Sequence, residues 1–172
     1  MAGEAMDNLI WNDLWQTAHT VKVYALCCSK YANKMRKRKR FFDWAIVIVP
    51  LVGAALFPLS KYCTLGASIL TGIGGILEKI PPLATQPESE LNELDNLQTQ
   101  FNKLLTEIED SIHSFRLDTS VTDIQLKGFL KKKKTLLDEL KTKVDKLVRK
   151  SPDSDILNKE AAEYITSKYS VI

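Results

Sequence analysis

The feature that most constrains the fold is a pair of uncharged segments separated by a short break. The nineteen residues Phe41–Leu59 contain one formal charge, that of Asp43, and after Ser60–Lys61 a further sixteen uncharged residues occupy Tyr62–Leu77. A helix that spans a bilayer needs about 20 mostly apolar residues, with about 17 as the lower limit. Only helices and closed barrels satisfy every backbone group in lipid. The sequence therefore predicts a transmembrane helical hairpin over 41–80; the alternative is a buried helical hairpin in a soluble domain.

Positive charge next to these segments predicts their orientation. Cytoplasmic flanks of membrane helices are rich in Lys and Arg. Lys61 is the one cation in the turn of the predicted hairpin, whereas six precede it, namely Lys34, Arg36, Lys37, Arg38, Lys39 and Arg40. We therefore expect a multi-pass membrane protein with both termini in the cytoplasm and with 34–40 as its juxtamembrane basic segment.

Inside the second uncharged segment, small and hydroxyl-bearing residues recur at helical spacing. They are Thr64, Ser68, Thr71 and Gly75, and Lys79 continues the row. Small residues let membrane helices approach closely, and hydroxyl groups can bond across helices. The row therefore indicates either packing within the hairpin or the lining of a pore. If the hairpin folds about its turn, Asp43 and Lys79 lie at the same depth and are expected to form an interface pair.

The region before the hairpin predicts one long amphipathic helix. No Gly or Pro occurs from Asp7 to Val49, so a helix over 1–40 can continue into the first span. Its apolar residues recur at steps of three and four, which is typical of one helix face: Trp11, Leu14, Trp15, Ala18, Val21, Ala25, Cys28, Ala32 and Met35. This face needs cover from the C-terminal helices, from another subunit or from the membrane surface.

The region 81–172 predicts three cytoplasmic helices. The first extends from Glu88 to Arg116, the second from Thr122 or Asp123 to about Lys150, and the third is short. Residues 88–116 have a net charge of −5 and residues 117–150 a net charge of +5. The first two helices are therefore expected to pair as an antiparallel, coiled-coil-like stalk, through two apolar stripes: Leu91, Leu94, Leu97, Phe101, Leu104, Leu105, Ile108, Ile112 and Phe115, and Leu130, Leu137, Leu140, Val144 and Leu147. The predicted fold class is all-α, with a long N-terminal helix, a transmembrane hairpin and this stalk.

One lysine cluster in the second stalk helix is open to two interpretations. It consists of Lys127, Lys131, Lys132, Lys133 and Lys134, with Lys133 at a core-type position of the heptad. The cluster is either a solvated face that pairs with the acidic helix or an anion site suited to a phosphorylated nucleotide. The spacing favours the first interpretation.

The sequence contains no argument for an enzyme. His19 and His113 lack Cys or carboxylate neighbours at metal-ligand spacing, so no metal site is expected. Phosphate-binding loops, nucleophile elbows and Cys/His catalytic signatures are absent from the sequence, and we expect no cofactor. Cys27, Cys28 and Cys63 have no Cys-x-x-Cys spacing, which predicts free thiols.

The arrangement as a whole resembles the SLATT family, the two-membrane-helix effector domains of bacterial antiphage systems. The resemblance covers about residues 9–116. It depends on Leu14-Trp15, Ala18-His19 and Tyr31-Ala32, on the basic segment 34–40, and on a first span with Val52-Gly53 and Phe57. A tight turn, a Gly-rich second span and the helix from Glu88 complete it.

The resemblance implies a membrane effector that oligomerises in the bacterial inner membrane and permeabilises it under control of a nucleotide signal. The expected partners are the lipid bilayer, further copies of the chain, and a cyclic oligonucleotide or a nucleotide-producing protein. No DNA or RNA is expected, and the resemblance implies no catalytic residues. The alternative is a membrane-anchored coiled-coil scaffold that recruits another protein.

Overall fold

All regular elements in the described part of the chain are helices. The computed structural model describes residues 2–56, 86–117 and 121–169, and the predicted all-α class is confirmed there. The helices are α1 (Ala2–Leu56), α2 (Glu88–Leu117), α3 (Asp123–Leu147) and α4 (Ser154–Tyr169). Contacts divide the chain into two units, Met1–Tyr31 with Asn92–Ile172 (unit 1) and Ala32–Leu91 (unit 2).

The helix boundaries follow local backbone chemistry that the sequence indicated. The Pro87 carbonyl accepts hydrogen bonds from the amides of Glu90 and Leu91, at 3.1 and 3.2 Å, so α2 begins directly after this proline. At the start of α3 the backbone N–H of Thr122 donates to Gln125 Oε1 at 3.0 Å, as in a capping box. These boundaries confirm the predicted starts of both helices.

Unit 1 is a helical bundle with a leucine-rich core. The predicted apolar face of α1 and the two predicted stripes supply most of this core, and Leu126, Leu157 and Ala161 add to it. The Tyr24 ring of α1 stacks on Phe101 of α2 with centroids 5.7 Å apart, and Phe115 meets Phe129 edge-on at 5.5 Å. Full burial of a large apolar side chain contributes about 1.5–3 kcal/mol, so these faces supply most of the stability.

In unit 1, the part of α1 up to Tyr31 is therefore covered by the C-terminal helices. Residues 1–31 and 92–172, which the sequence interpretation assigned to separate domains, form one unit. Asp13 of α1 bonds Lys134 of α3 at 2.8 Å, and the Tyr31 hydroxyl accepts a hydrogen bond from the Arg149 amide at 3.4 Å. An apolar face and two apolar stripes bury more surface together than a two-helix stalk would alone.

Within unit 2, α1 continues through the basic segment and ends at Leu56. Among the described residues, no helix is long and apolar enough to cross a membrane. In α1, only sixteen described residues, Phe41–Leu56, follow Arg40. A stretch of membrane-spanning length would therefore have to include part of the basic segment. The predicted localisation as a multi-pass inner-membrane protein with both termini cytoplasmic is therefore contradicted, and the transmembrane hairpin is unsupported. The remainder of the predicted hairpin, 57–80, lies outside the described residues.

Candidate functional site

The basic segment 34–40 lies on α1, and two of its cations pair with a carboxylate in the described part of the chain. Arg36 Nε lies 3.5 Å from Glu88 Oε1, and Lys39 Nζ lies 3.0 Å from Glu88 Oε2. The hydrogen bond from Lys39, with the nearby positive charges, holds the pKa of the Glu88 carboxyl below its usual range. The other four cations of the segment, Lys34, Lys37, Arg38 and Arg40, are exposed. Among the described residues, the Glu88 carboxylate thus faces two of the six cations, and four further positive charges lie exposed on the same segment.

Large apolar side chains follow this segment directly and are also exposed. Phe41 is 70% exposed and Trp44 is 68% exposed. Farther along the helix, the exposed apolar residues are Val47, Ile48, Leu51 and Val52. Steps of three and four place these six residues, which we call the α1 apolar face, along one side of the helix. Soluble monomers rarely expose a contiguous apolar patch of this kind, and such patches mark interaction surfaces.

Two of the five lysines of the α3 cluster pair with carboxylates on neighbouring helices. Lys133 Nζ bonds Glu107 Oε2 of α2 at 2.5 Å, and its side chain is 13% exposed. The hydrogen bond from Lys133 lowers the pKa of the Glu107 carboxyl. Lys134 pairs with Asp13 of α1, whereas Lys127, Lys131 and Lys132 are exposed. The ion pair between α2 and α3 agrees with the interpretation of the cluster as a solvated face that pairs with the acidic helix. Nucleotide binding by the cluster stays a prediction.

The predicted pore-lining or packing row lies outside the described residues. This applies to all five of its members, Thr64, Ser68, Thr71, Gly75 and Lys79. The predicted interface pair of Asp43 and Lys79 therefore stays a prediction; Asp43 itself is described and exposed on α1.

A polar cluster in unit 1 was missed by the sequence interpretation. Acids of α2 were expected outside the apolar stripe, but Glu109 is buried, with 7% of the residue exposed. Its carboxylate is bonded by Lys168 Nζ and, at 3.2 Å, by the Tyr164 hydroxyl. Lys22 Nζ lies 3.8 Å above the Tyr164 ring. The spacing of Glu109 from Leu105 and Ile112, four and three residues, was the signal that could have placed it in the core.

The thiols of unit 1 are shielded from solvent. Cys27 and Cys28 are free and buried. Burial raises the pKa of the Cys28 thiol to about 12, and it also raises the pKa of Cys27. A thiol reacts as its thiolate, so both groups are unreactive in the folded bundle. Beside Cys27 is a cavity of about 230 Å³, which Tyr24, Asp145, Ser151 and Leu157 help to line.

We expect alkylation of these two thiols to require opening of unit 1. With iodoacetamide at neutral pH, Cys27 and Cys28 should react at least about a hundredfold more slowly in the folded chain than in urea. Peptide mapping by mass spectrometry separates their labelling from that of Cys63. Equal rates in the two conditions would show that unit 1 is not closed around these thiols.

The described residues contain no group of three or more His, Cys, Asp or Glu side chains that could hold a metal ion.

The chain matches no family model, and no curated protein or solved structure is significantly similar to it. The resemblance to the SLATT family therefore stays a prediction. The strongest site that the described geometry offers is the basic segment 34–40 with the α1 apolar face.

Proposed function

We propose that this protein is an effector that acts on lipid bilayers through the basic segment and the α1 apolar face. The observation that supports the proposal is their direct succession on one helix, with Phe41 and Trp44 exposed next to exposed cations. Each Lys or Arg near an anionic lipid surface contributes about 1 kcal/mol to binding. Aromatic rings favour the boundary between headgroups and acyl chains.

The two parts of this site suit different layers of a lipid surface. Cations at 34–40 match the phosphate-bearing headgroups, and apolar side chains from Phe41 onward match the acyl boundary. Transfer of a large apolar side chain out of water contributes up to about 1.5–3 kcal/mol, and less where it is already part-covered. Charge and apolar burial together support binding that depends on anionic lipid.

We propose further that such an effector assembles and permeabilises the bilayer in response to a nucleotide signal that its helical bundle receives. This part of the proposal follows the resemblance to antiphage effectors. The bundle has its own leucine-rich core and includes the first part of the helix that carries the lipid-binding residues. A change in that bundle can therefore act on a segment to which it is covalently continuous.

Vesicle experiments test this proposal directly. The purified chain should float with vesicles of phosphatidylglycerol and phosphatidylethanolamine, and it should float much less with phosphatidylcholine alone. Trp44, Trp11 and Trp15 complicate native fluorescence, so Trp11→Phe and Trp15→Phe should be introduced to leave one reporter. A blue shift of Trp44 emission on anionic vesicles, accompanied by dye release, is the expected result. Absence of both flotation and dye release would refute the proposal.

A scaffold that recruits another protein is the second candidate. It is favoured by the independent core of unit 1, because such a bundle can present a binding surface without the rest of the chain. In this case a fusion of residues 86–172 and 9–31 to an unrelated anchor should still capture the recruited protein. A bilayer effector would lose its activity in the same fusion, so the two candidates are distinguishable.

A further inference from the structure

Helix α4 is held to unit 1 by an interface that buries little apolar surface. Among the fifteen residues of α4 whose burial is described, 154–168, only Leu157 and Ala161 belong to the buried core. Ile156, in contrast, is 50% exposed. Helix α2 alone contributes eight buried apolar residues to the two units, among them Phe101 and Ile108. Hydrophobic stabilisation scales with buried apolar area, so α4 gains far less from docking than α2 does.

Polar contacts supply most of the specific links between α4 and its neighbours. Lys30 of α1 pairs with Glu160, and both side chains remain more than one-third exposed. His19 Nε2 lies 3.3 Å from the Asn158 carbonyl oxygen. At the other end of α4, Lys168 and Tyr164 bond Glu109 of α2. We call these contacts the α4 latch.

Burial of charge offsets part of the gain from this latch, in which the hydrogen bond to Glu109 raises the pKa of the Lys168 ammonium group. Glu109 is the member with the least solvent contact, its side chain being 8% exposed. Burial is the largest influence on Lys22, and it lowers the pKa of that ammonium group. Taking charged groups out of water has a cost that their mutual attraction offsets only in part. If α4 undocks, Glu109 and Lys22 become hydrated again, which reduces the free energy lost when the polar contacts of α4 break.

Imperfect packing is present at two places along α4. Near its start lies the cavity of about 230 Å³ beside Cys27. Farther along, an open groove of about 460 Å³ lies between α4 and α1, lined by Trp15, His19, Ile165 and Thr166 among others. The contact area missing at these places lowers the dispersion energy that would otherwise retain the helix.

From these observations we propose that α4 is a releasable helix, which undocks from unit 1 while α1, α2 and α3 stay folded. Undocking frees the α4-facing residues of α1, including His19, Lys22 and Lys30, and so gives unit 1 two states. The segment 148–153, which contains Pro152 and no regular helix, serves as the hinge. This regulatory element belongs to unit 1 and does not depend on lipid binding by the α1 apolar face.

Native-state hydrogen exchange of the full chain, read by mass spectrometry, tests the proposal. We expect the amides of α4 to exchange about a hundredfold faster than the buried amides of α2 under native conditions. Lys168→Gln removes the ammonium partner of Glu109 and should speed exchange in α4 about tenfold more, leaving α2 unchanged. Lys159→Gln, at an exposed site on the same helix, is the control and should change neither helix.

Two results would overturn the proposal. One is equal protection of α4 and α2, because both would then open only in global unfolding. The other is a parallel loss of protection in α2 and α4 in the Lys168→Gln variant. Tyr164→Phe, which removes one hydroxyl and keeps the ring, provides a milder variant should Lys168→Gln fail to fold. It too must act on α4 alone for the proposal to stand.

Discussion

Replacing Phe101 by alanine should lower the free energy of unfolding of unit 1 by about 3–5 kcal/mol. The Phe101 side chain has no exposed surface and stacks on Tyr24 with centroids 5.7 Å apart. Its removal leaves a cavity at the contact between α1 and α2, which is costly because the surrounding structure relaxes only in part. Domains are stable by only about 5–15 kcal/mol, so the variant should be close to unfolding. Urea denaturation followed by far-ultraviolet circular dichroism measures the change.

The matched control is Ile124→Ala on α3. Ile124 is 82% exposed, so its truncation should change the free energy of unfolding by no more than about 0.5 kcal/mol. A loss at Phe101 no larger than the loss at Ile124 would mean that the α1–α2 contact does not form in solution. The packing of the N-terminal helix against the C-terminal region would then be wrong.

Neutralising the exposed part of the basic segment should have the largest effect on lipid binding. We expect replacement of Lys34, Lys37, Arg38 and Arg40 by glutamine to weaken binding to anionic vesicles by about 4 kcal/mol, or about a thousandfold. The reason is that each cation near an anionic surface contributes about 1 kcal/mol. Co-sedimentation across a range of lipid concentrations gives the partition coefficient of each variant.

An equal change of charge elsewhere separates a local effect from a general one. Lys127, Lys131, Lys132 and Lys143 are exposed on α3, and their replacement by glutamine also removes four positive charges. This control should retain most of the vesicle binding, although it would reduce any binding of a nucleotide by the lysine cluster. If both quadruple variants lost binding equally, net charge rather than the basic segment would be responsible, and the proposed site would be wrong.

Helix positions were predictable because they depend on local chemistry and on periodicity. The apolar rows of α1, α2 and α3 recur at three and four residues, and a row at this spacing lies on one side of a helix. Pro87 and Thr122 indicated where α2 and α3 begin, since one fits the first turn of a helix and the other an N-cap. The end of α3 was less predictable. We expected it to end near Lys150. It ends at Leu147, because the next residue, Val148, adopts an extended conformation.

The partners of charged residues were much less predictable. Lys133 was recognised as a lysine at a core position, but its carboxylate partner Glu107 lies 26 residues away. Glu109 was expected on the solvent side of α2, and it is instead buried against Lys168, 59 residues along the chain. Such pairs depend on how helices are rotated and aligned, which no local sequence pattern specifies.

The sequence by itself determined the all-α class, the helix starts and the apolar faces, because each depends on neighbouring residues and on helical spacing. The tertiary structure alone decided that the part of α1 up to Tyr31 is covered by α2, α3 and α4, and that Glu109 is a buried partner of α4. It also contradicted the predicted multi-pass localisation, since α1 has no membrane-length apolar stretch among the described residues. Packing joins residues that are distant in sequence, and it decides which apolar surfaces are covered and which remain exposed.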